Sequence, residues 1–383
     1  MVQEFLTPDI IAPEAIILLQ SDLVTSNLFW REYEVEFNGS EKVGDTINIR
    51  NRGKGVVREY GGSSVTIDDL DEHPIPLQLE KHFDLSIKVT SRDLKLNLQS
   101  FSSQILAPNL LQMAEHIDSY ACLKLKDLPN VAGPSEAAPG ALPNSISAMA
   151  LVEKTANDLR WPRKPRHQIA STEYKATLLG VDSFVEVDKS GDADGLREAM
   201  INNIMGFDSY MSQNVDTTTH TTGTMTTAVV NGAVTKGATS IVFDGASGAT
   251  ETILADDIIT VGGHNYVVAA NVTAVSSAGT ITLKEPVRED IANDAGITIY
   301  DGGGNTRQNH GAIFHPRALA LAVVPLNEPM SNVSSSLMVD RGFAIRLVLD
   351  WDKDLKADVL SMDVLVGAKV VDGRLGAQIV KNI

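Results

Sequence analysis

The chain has 383 residues, of which 43% are hydrophobic and 21% are charged, and its formal net charge is −17. This length is enough for one large core or for two to three modest ones. The negative charge argues against a general binder of nucleic acid or of an anionic membrane. The only cysteine, Cys122, excludes an internal disulfide framework and a CxxC metal site, and we expect it to be buried.

The sequence has no apolar run near the roughly 20 residues that a membrane span needs. Its start, MVQEFLTPDI, lacks the basic residues and the apolar segment of a signal peptide. We therefore expect a soluble protein that is made in a cytoplasm and has no membrane partner.

The first 92 residues predict an extended arm rather than a compact core. A short helix is expected at Pro13–Ser26, and its apolar side chains must be buried against this chain's body or against a neighbour. Alternating residues in Lys42–Asn51 and Phe83–Thr90 predict two strands. Residues 53–82 between them contain little that could fill a core, so we expect a long hairpin that projects from the body. The acidic run Asp68–Glu72 is expected at a solvated tip, although it could also bind a cation or a basic partner.

An amphipathic helix is predicted at Ser103–Leu128, about 39 Å long at about 1.5 Å per residue. Ser102 or Ser103 is the expected N-cap, and Pro108 must either kink the helix or lie in its first turn. The apolar stripe consists of Leu110, Ala114, Ile117, Ala121, Leu125 and Leu128. Such a helix between an arm and a compact domain is a strut, which indicates a building block rather than a catalyst.

The next section alternates helices with strands. After a loop at Asn130–Asn144, a helix is predicted at Ser145–Leu159, and the prolines of RWPRKPR end it. Its inward side chains are expected to be Ile146, Met149, Val152 (or Leu151), Ala156 and Leu159. A second helix is predicted around Leu196–Ile204, and a strand at Phe207–Met211.

The composition changes at Asp216 to a Thr- and Gly-rich, almost uncharged stretch. Short strands at regular spacing then predict a small β-barrel or sandwich that ends at Asp301–Asn309. The expected strands are Ser240–Phe243, Asp257–Val261, Asn265–Val272, Gly279–Leu283 and Ile297–Tyr300. Because His310–Leu326 returns to the earlier composition, we expect this β-unit to be inserted between two halves of one domain. Strands are expected again at Gly342–Leu349 and Leu355–Met362, and Gly367–Ile379 follows.

No pattern in the sequence predicts a catalytic, metal or cofactor site. Ser190–Gly195 begins like a calcium loop, but Ile201 stands where a bidentate Glu is required. His310 and His315 have no third ligand at a matching spacing, and no helix follows Gly302–Gly304. The basic cluster Arg160–His167 could contact phosphates, but a helix-end or subunit contact is favoured on so acidic a chain.

Six stretches in order resemble the major capsid (coat) proteins of tailed double-stranded-DNA phages, which share the Hong Kong-type capsid fold. The likeness is greatest to the branch of the Salmonella short-tailed phage coat, which carries an extra β-domain. The stretches are VGDTINIRN with the hairpin and FDLSIKVTSRDL, APNLLQMAEHIDSYA, DLRWPRKPRHQIASTEYKATLL, LREAMINNIMGFDSYMSQNV, AIFHPRALALAVVPL and DVLVGAKVVDGRLGAQIV.

This resemblance implies an α+β fold with the phage capsid arrangement and an inserted small all-β barrel or sandwich. The implied parts are an N-terminal arm (1–41), an E-loop hairpin with flanking strands (42–92), a spine helix (93–129), the first half of an axial domain (130–215), the inserted β-domain (216–309) and closing segments (310–383). The hairpin would contact a neighbouring subunit through Lys54, Arg58, Glu59, Asp68, Asp69, Asp71 and Glu72.

The resemblance further implies a non-enzymatic protein without a cofactor, which assembles as pentamers and hexamers into an icosahedral shell around a double-stranded DNA genome. A scaffolding protein, a portal protein and a decoration protein would be its partners, and the DNA would be enclosed without sequence-specific binding. It would belong to the virion and assemble in the host cytoplasm. The alternatives are the shell of a nanocompartment and a surface or carbohydrate-binding protein that uses its β-unit.

Overall fold

The computed structural model describes residues 15, 17, 23–31, 46–50, 59, 74–90, 106–134, 142–186, 198–199, 201, 203–247, 251–300, 306–327, 329, 334–340, 343–352 and 357–382. The loops at Ser190–Gly195 and Gly302–Gly304 lie outside these residues, as does most of Pro13–Ser26. Of that expected helix, Ala15 and Ile17 are helical, whereas Leu23–Thr25 are not.

The strands in chain order are β1 (Thr46–Arg50), β2 (Pro74–Gln78), β3 (Lys81–Thr90), β4 (Asn130–Ala132), β5 (His167–Ala170), β6 (Asn203–Ile204), β7 (Phe207–Met211), β8 (Thr219–Thr221), β9 (Ala228–Val230), β10 (Ser240–Asp244), β11 (Thr252–Ile253), β12 (Ile258–Val261), β13 (His264–Val267), β14 (Val272–Thr273), β15 (Gly279–Thr282), β16 (Gly296–Ile299), β17 (Thr306–Phe314), β18 (Leu319–Val324), β19 (Ser334–Asp340), β20 (Phe343–Asp352), β21 (Ala357–Val370) and β22 (Gly376–Asn382). The α-helices whose bounds fall within the described residues are α1 (Ala107–Leu123), α2 (Ile146–Asp158), α3 (Thr172–Leu179) and α4 (Asp182–Val185).

The described helix α1 covers part of the predicted strut helix, whose residues 103–105 lie outside the described residues. It has 17 residues, about 26 Å at about 1.5 Å per residue, and a 3-10 helix at Lys124–Asp127 continues it. Its N-cap is Leu106, which makes no side-chain capping bond, and the predicted caps Ser102 and Ser103 lie outside the described residues. Pro108 lies in the first turn, where the missing N–H has no helical partner to lose.

A five-stranded sheet packs on α1. The long strand β21 pairs with β3 along one edge and with β20 and β18 along the other, and β19 pairs with β20. All of these pairs are antiparallel. Side chains from the inner face of this sheet share one apolar cluster with α1; among them are Met362, Val364 and Val366.

A seven-stranded sheet lies on the other side of α1. Its order is β4-β22-β17-β5-β7-β6, and β8 also pairs with β17. The pairs β22–β4 and β5–β7 are parallel and the others antiparallel. One face contributes Ile169 and Phe314 to the α1 cluster, while the other face packs on α2 and α3 through a second cluster that includes Ile313 and Ile379.

Serine caps begin both helices of this layer. Ser145 accepts a hydrogen bond from the backbone N–H of Ala148 at 3.2 Å, and Ser171 accepts one from Tyr174 at 3.3 Å. Met149, Val152 and Ala156 of α2 are buried as expected. The inward assignment of Ile146 is wrong, because its side chain is 45% exposed on the first turn, and Leu151 is also exposed.

The helix expected around Leu196–Ile204 does not reach its predicted end. Asn203–Ile204 form β6, which pairs with β7. Met205 and Gly206 have φ values of 47° and 86°, and two consecutive positive φ values make a tight hairpin turn that a helix cannot contain. The chain therefore reverses into β7, whose bounds match the predicted strand.

Residues 228–299 form a six-stranded antiparallel sheet, β13-β12-β16-β9-β10-β15, beside the small pair β11–β14. These strands enclose a separate apolar cluster that includes Phe243, Ile259 and Tyr266. The predicted strand Asn265–Val272 is instead two strands, β13 and β14. The chain enters this β-unit through β8 and leaves it through β17, which pair with each other. Its status as an inserted domain stays a prediction.

Candidate interaction surfaces

The six apolar residues predicted on the strut helix are directed into the protein interior. Leu110, Ala114, Ile117, Ala121, Leu125 and Leu128 all have 0% exposure. They lie in the cluster shared by the two large sheets. The stripe therefore packs within this chain, while Leu111 and Leu123 of the same helix are 46% and 45% exposed.

A buried polar group attaches the N-terminal arm to α1. The Asp118 carboxylate accepts hydrogen bonds from the Ser26 backbone N–H at 2.9 Å, the Ser26 hydroxyl at 3.1 Å and the Ser212 hydroxyl at 3.3 Å. Asp118 is 3% exposed, so these bonds replace the water that it loses. The partners are 92 to 94 residues away in the sequence, so no local pattern predicts this site.

Cys122 lies beside this carboxylate and is buried, as the sequence predicts. Its Sγ is 3.2 Å from the Thr25 hydroxyl oxygen. Burial, and secondarily the negative charge of Asp118, raises the pKa of the thiol to about 12. The thiol therefore stays protonated near neutral pH and is a poor nucleophile or metal ligand.

The described part of the arm packs on this chain's own body. Phe29 meets Phe314 edge-on with ring centroids 5.6 Å apart, and the Arg31 guanidinium lies 3.6 Å from the centroid of the Phe343 ring. Trp30 forms a parallel bridge with Ala320. Within the predicted segment Pro13–Ser26, Ala15 and Leu23 are buried in the apolar cluster of this chain, whereas Ile17 is 63% exposed.

The base of the hairpin is also fixed to the body. In the antiparallel pair β1–β2, Thr46 lies opposite Gln78 and Arg50 opposite Pro74. The buried side chains Ile49, Ile75 and Leu77 pack on β18. Glu59 is exposed. The other hairpin residues predicted to contact a neighbour lie outside the described residues: Lys54, Arg58, Asp68, Asp69, Asp71 and Glu72.

Charged side chains join the β-unit to the end of α1. Lys284 of the β-unit binds both Asp127 and Asp256. Burial alone would lower the pKa of Lys284, but the two carboxylates outweigh it and hold the pKa above its usual value. Lys126 binds Asp216 in the same region. We call these contacts the junction network.

A cavity of about 380 Å³ opens beside the junction network. Its walls come from β2, the 3-10 helix after α1, the β-unit and the end of β21. Three lysines line it, namely Lys124, Lys284 and Lys369, together with the carboxylates of Glu80, Asp127 and Glu285. We call it the lysine cavity.

One residue of the basic cluster Arg160–His167 makes its contacts within this chain. The Arg166 guanidinium is buried and donates hydrogen bonds to the carbonyls of Pro162 and Trp161, at 2.7 and 3.1 Å, and to the Asn157 side chain at 3.0 Å. It therefore stabilises the C-terminal end of α2. Arg163 and Lys164 are exposed.

Three histidines lie at the junction of β5 and β17. His310 Nδ1 is 3.1 Å from the Ser171 hydroxyl oxygen, and His315 Nδ1 accepts a bond from the Arg317 backbone N–H at 3.2 Å. Burial lowers the pKa of His167, His310 and His315. Within the described ranges, no group of three or more His, Cys, Asp or Glu side chains is placed to hold a metal ion.

In the part of the chain that the structure describes, no helix is both long and apolar enough to cross a membrane. No protein-family model matches the sequence, and no curated protein matches it either. A solved structure from Mycobacterium phage Che8 is similar over 93% of this chain and 90% of its own, with 16% sequence identity and a TM-score of 0.52. The two chains share a fold.

Two further solved structures have lower TM-scores. The capsid of cyanophage P-SCSP1u covers 88% of this chain at 9% identity, with a TM-score of 0.46. The capsid of Ralstonia phage GP4 covers 93% at 9% identity, with a TM-score of 0.47. The fold assignment therefore rests on the phage Che8 structure.

Proposed function

We propose that this chain is the major capsid protein of a tailed phage. It would assemble as pentamers and hexamers into an icosahedral shell that encloses a double-stranded DNA genome. The observation that carries the proposal is the fold shared with the phage Che8 structure along nearly the whole of both chains. The six ordered sequence stretches that resemble phage coat proteins support it independently.

The parts of the fold take roles that suit a shell subunit. In this proposal α1 is the spine helix, and residues 216–309 are the inserted domain of the Salmonella short-tailed phage branch. The hairpin based on β1 and β2 reaches over a neighbouring copy. Its buried base supports this role, because Ile49, Ile75 and Leu77 fix the hairpin where it leaves the body.

The proposed role is structural rather than enzymatic. Two buried charged side chains have structural partners: Asp118 binds Ser26 of the arm, and Arg166 binds the end of α2. The Cys122 thiol is held in its protonated form. These groups stabilise the subunit.

The proposed partners are other copies of the chain, a scaffolding protein, a portal protein and a decoration protein. The protein would belong to the virion and assemble in the host cytoplasm. The net charge of −17 suits a shell that encloses DNA without binding its sequence, because acidic surfaces repel phosphates.

Electron microscopy of the purified protein tests the proposal. The protein is expressed alone and together with a scaffolding protein encoded beside it, and each preparation is imaged and digested with nuclease. We expect closed shells built of five- and six-membered rings. A monodisperse monomer under both conditions would contradict the proposal. Shells isolated from infected cells that hold a protein cargo and no nuclease-protected DNA would favour a nanocompartment instead.

A further inference from the structure

One loop of this acidic chain is rich in basic residues. The chain has 49 Asp and Glu residues against 32 Lys and Arg, yet no carboxylate side chain occurs between Asp158 and Glu173. That stretch contains four cations, namely Arg160, Arg163, Lys164 and Arg166. Residues 160–165 lie between α2 and β5, and we call them the basic loop. A local excess of positive charge attracts anions even on a chain whose net charge is −17.

The end of α2 uses only one of these four cations. Arg166 donates hydrogen bonds to the Asn157 side chain and to two carbonyls of the loop. The side chains of Arg160, Arg163 and Lys164 are exposed and make no hydrogen bond or ion pair with any described residue. A role at the helix end therefore explains Arg166 and leaves the other three charges available to another molecule.

The basic loop is held in one conformation by contacts from the interior. The Trp161 side chain is 5% exposed, and its indole N–H donates to the Arg374 carbonyl. The Trp161 backbone N–H donates to the Ala156 carbonyl at 3.0 Å, and Arg166 binds the carbonyls of Trp161 and Pro162. A loop that is already ordered loses less conformational entropy when its side chains bind a partner.

A further cation lies at the same edge of the seven-stranded sheet. Phe314, at the end of β17, lies opposite His167, at the start of β5. Arg317 follows Phe314 by three residues and is exposed. Burial lowers the pKa of His315, and the charges of Arg317, His167 and Arg166 lower it further. The positive charge at this edge therefore comes from two parts of the chain.

Carboxylates in the neighbouring elements have donors of their own. Asp158 binds Lys154 at 2.9 Å, and Asp372 binds Arg374 at 2.6 Å. Asp208 accepts a hydrogen bond from the Asn203 side chain at 2.8 Å. Because each carboxylate is already paired, it competes less with an external anion for the cations of the basic loop.

The exposed surface of the basic loop suits phosphates better than a second protein. Besides the three cations, its exposed side chains are Pro162 and Pro165, and its aromatic residue Trp161 is buried. Protein interfaces are enriched in aromatic residues and depleted in Lys. Phosphate contacts, in contrast, come largely from Arg and Lys, and the guanidinium fork matches the spacing of phosphate oxygens.

We propose that Arg160, Arg163 and Lys164 bind the phosphate backbone of the enclosed double-stranded DNA. The contact does not depend on base sequence, because these side chains meet phosphates and not base edges. It is local, since the net charge of the chain repels the duplex elsewhere. The inference rests on the proposed function, which places DNA inside the shell.

Fluorescence anisotropy tests the binding on the full-length, unassembled protein. The probe is a labelled duplex of mixed sequence, about 30 base pairs long, in about 50 to about 200 mM NaCl. We expect the triple variant Arg160→Ala, Arg163→Ala, Lys164→Ala to bind at least about tenfold more weakly at the lowest salt concentration. The slope of log K against log salt should become shallower by about 2.7, about 0.9 for each lost phosphate contact.

Lys88→Ala, an exposed change on β3, is the matched control and should alter neither quantity. Circular dichroism verifies that each variant folds. A folded triple variant with the affinity and slope of the wild type overturns the inference, and so does a wild-type protein that binds no duplex. Wild-type protein that binds poly-glutamate but not the duplex overturns it in favour of an acidic protein partner.

Acetylation of Lys164 tests the contact in the assembled state. DNA-filled shells and DNA-free shells are treated with N-hydroxysuccinimide acetate, and mass spectrometry measures the modified fraction of Lys164. We expect Lys164 to be protected in the filled shells only. Equal reactivity in both kinds of shell overturns this inference alone, and equal protection in both overturns it in favour of a subunit contact. Protein that forms no shells overturns the proposed function as well.

Discussion

Ile117 shows how strongly the subunit depends on the packing of α1. Its side chain is fully buried in the cluster between the two large sheets, so Ile117→Ala leaves a cavity. We expect the free energy of unfolding to fall by about 2–5 kcal/mol, measured by chemical denaturation. Ile117→Asp would bury an unpaired carboxylate there and should give no folded protein.

Leu111 is the matched control on the same helix, because it is 46% exposed. We expect Leu111→Ala to change the free energy of unfolding by less than about 1 kcal/mol. Equal losses for the two alanine variants would show that α1 is not packed as described.

The histidines at the β5–β17 junction predict a loss of stability in acid. Burial holds the pKa of His167, His310 and His315 below 6.5, so the unfolded chain binds protons that the folded chain does not. Stability from these groups is fully present above about pH 6.5 and is lost as the pH falls through the lowered values. We expect the denaturation midpoint to decrease between about pH 7.5 and about pH 5.5.

His310 is the most buried of the three, and Glu173 and Lys381 are the charged groups that act on it. His310→Gln should therefore reduce the dependence of the midpoint on pH. The corresponding change of His116, which is exposed on α1, should leave that dependence as it is. An unchanged slope in His310→Gln would contradict the assignment.

The residue contacts that hold the molecule together were the hardest to predict. The apolar stripe of α1 follows from helical spacing within one segment, and all six of its members are buried. By contrast, Asp118 meets Ser26 and Ser212, and Lys284 meets Asp127, across 92 to 157 residues. No local pattern marks such pairs, because only the tertiary fold brings them together.

Among the elements, the hairpin is the one whose outer part should be needed for assembly but not for folding. The sequence alone predicts that a subunit without residues 56–80 still folds. However, these residues include β2, whose Ile75 and Leu77 are buried. A more selective variant replaces residues 54–70 with a short Gly-Ser linker and keeps both β1 and β2. We expect a subunit that melts like the wild type and forms no shells in the electron microscope.

A companion variant tests the base of the hairpin. Ile75→Ser combined with Leu77→Ser places hydroxyls in an apolar cluster, so the melting temperature itself should fall. Shells formed by the linker variant would contradict the role given to the hairpin.

The junction network makes a prediction about the β-unit. Lys284→Met removes the ammonium shared by Asp127 and Asp256 and leaves two carboxylates together. We expect contacts between the β-unit and the body to weaken by about 1–3 kcal/mol, seen as faster amide exchange at β8 and at Lys124–Asp127. Lys88→Met, at an exposed site on β3, should leave the exchange rates unchanged. Equal rates in both variants would show that the network does not hold the β-unit.

Elements with a clear local pattern were predictable to within a few residues. The strand Phe207–Met211 has its predicted bounds, and Gly279–Thr282 nearly so, because alternation and flanking turns define them. The strands β8, β9 and β11 follow from no local pattern, because they have two or three residues each and gain their strand geometry from pairing with other strands. The helix predicted at Leu196–Ile204 failed at its end because the Met205–Gly206 turn depends on pairing with β7.

At the scale of the whole molecule, charge should control assembly. Each copy carries a net charge of −17, so copies repel one another before they make contact. This repulsion is screened over about 10 Å at 0.1 M salt. We expect light scattering to show faster shell assembly as NaCl rises from about 20 to about 300 mM. Tetramethylammonium chloride at equal ionic strength is the control for ion identity, and slower assembly in both salts would contradict the expectation.

The order of strands in the seven-stranded sheet has a consequence for synthesis on the ribosome. The strands of the β-unit lie in one continuous stretch, residues 228–299, so they can pair as soon as they emerge. The seven-stranded sheet is different, because β22 fills the place between β4 and β17 and is translated after both. Until residue 376 leaves the exit tunnel, the nascent chain presents an open slot with unpaired strand edges on each side. That slot is where we expect a chaperone to act on the growing chain.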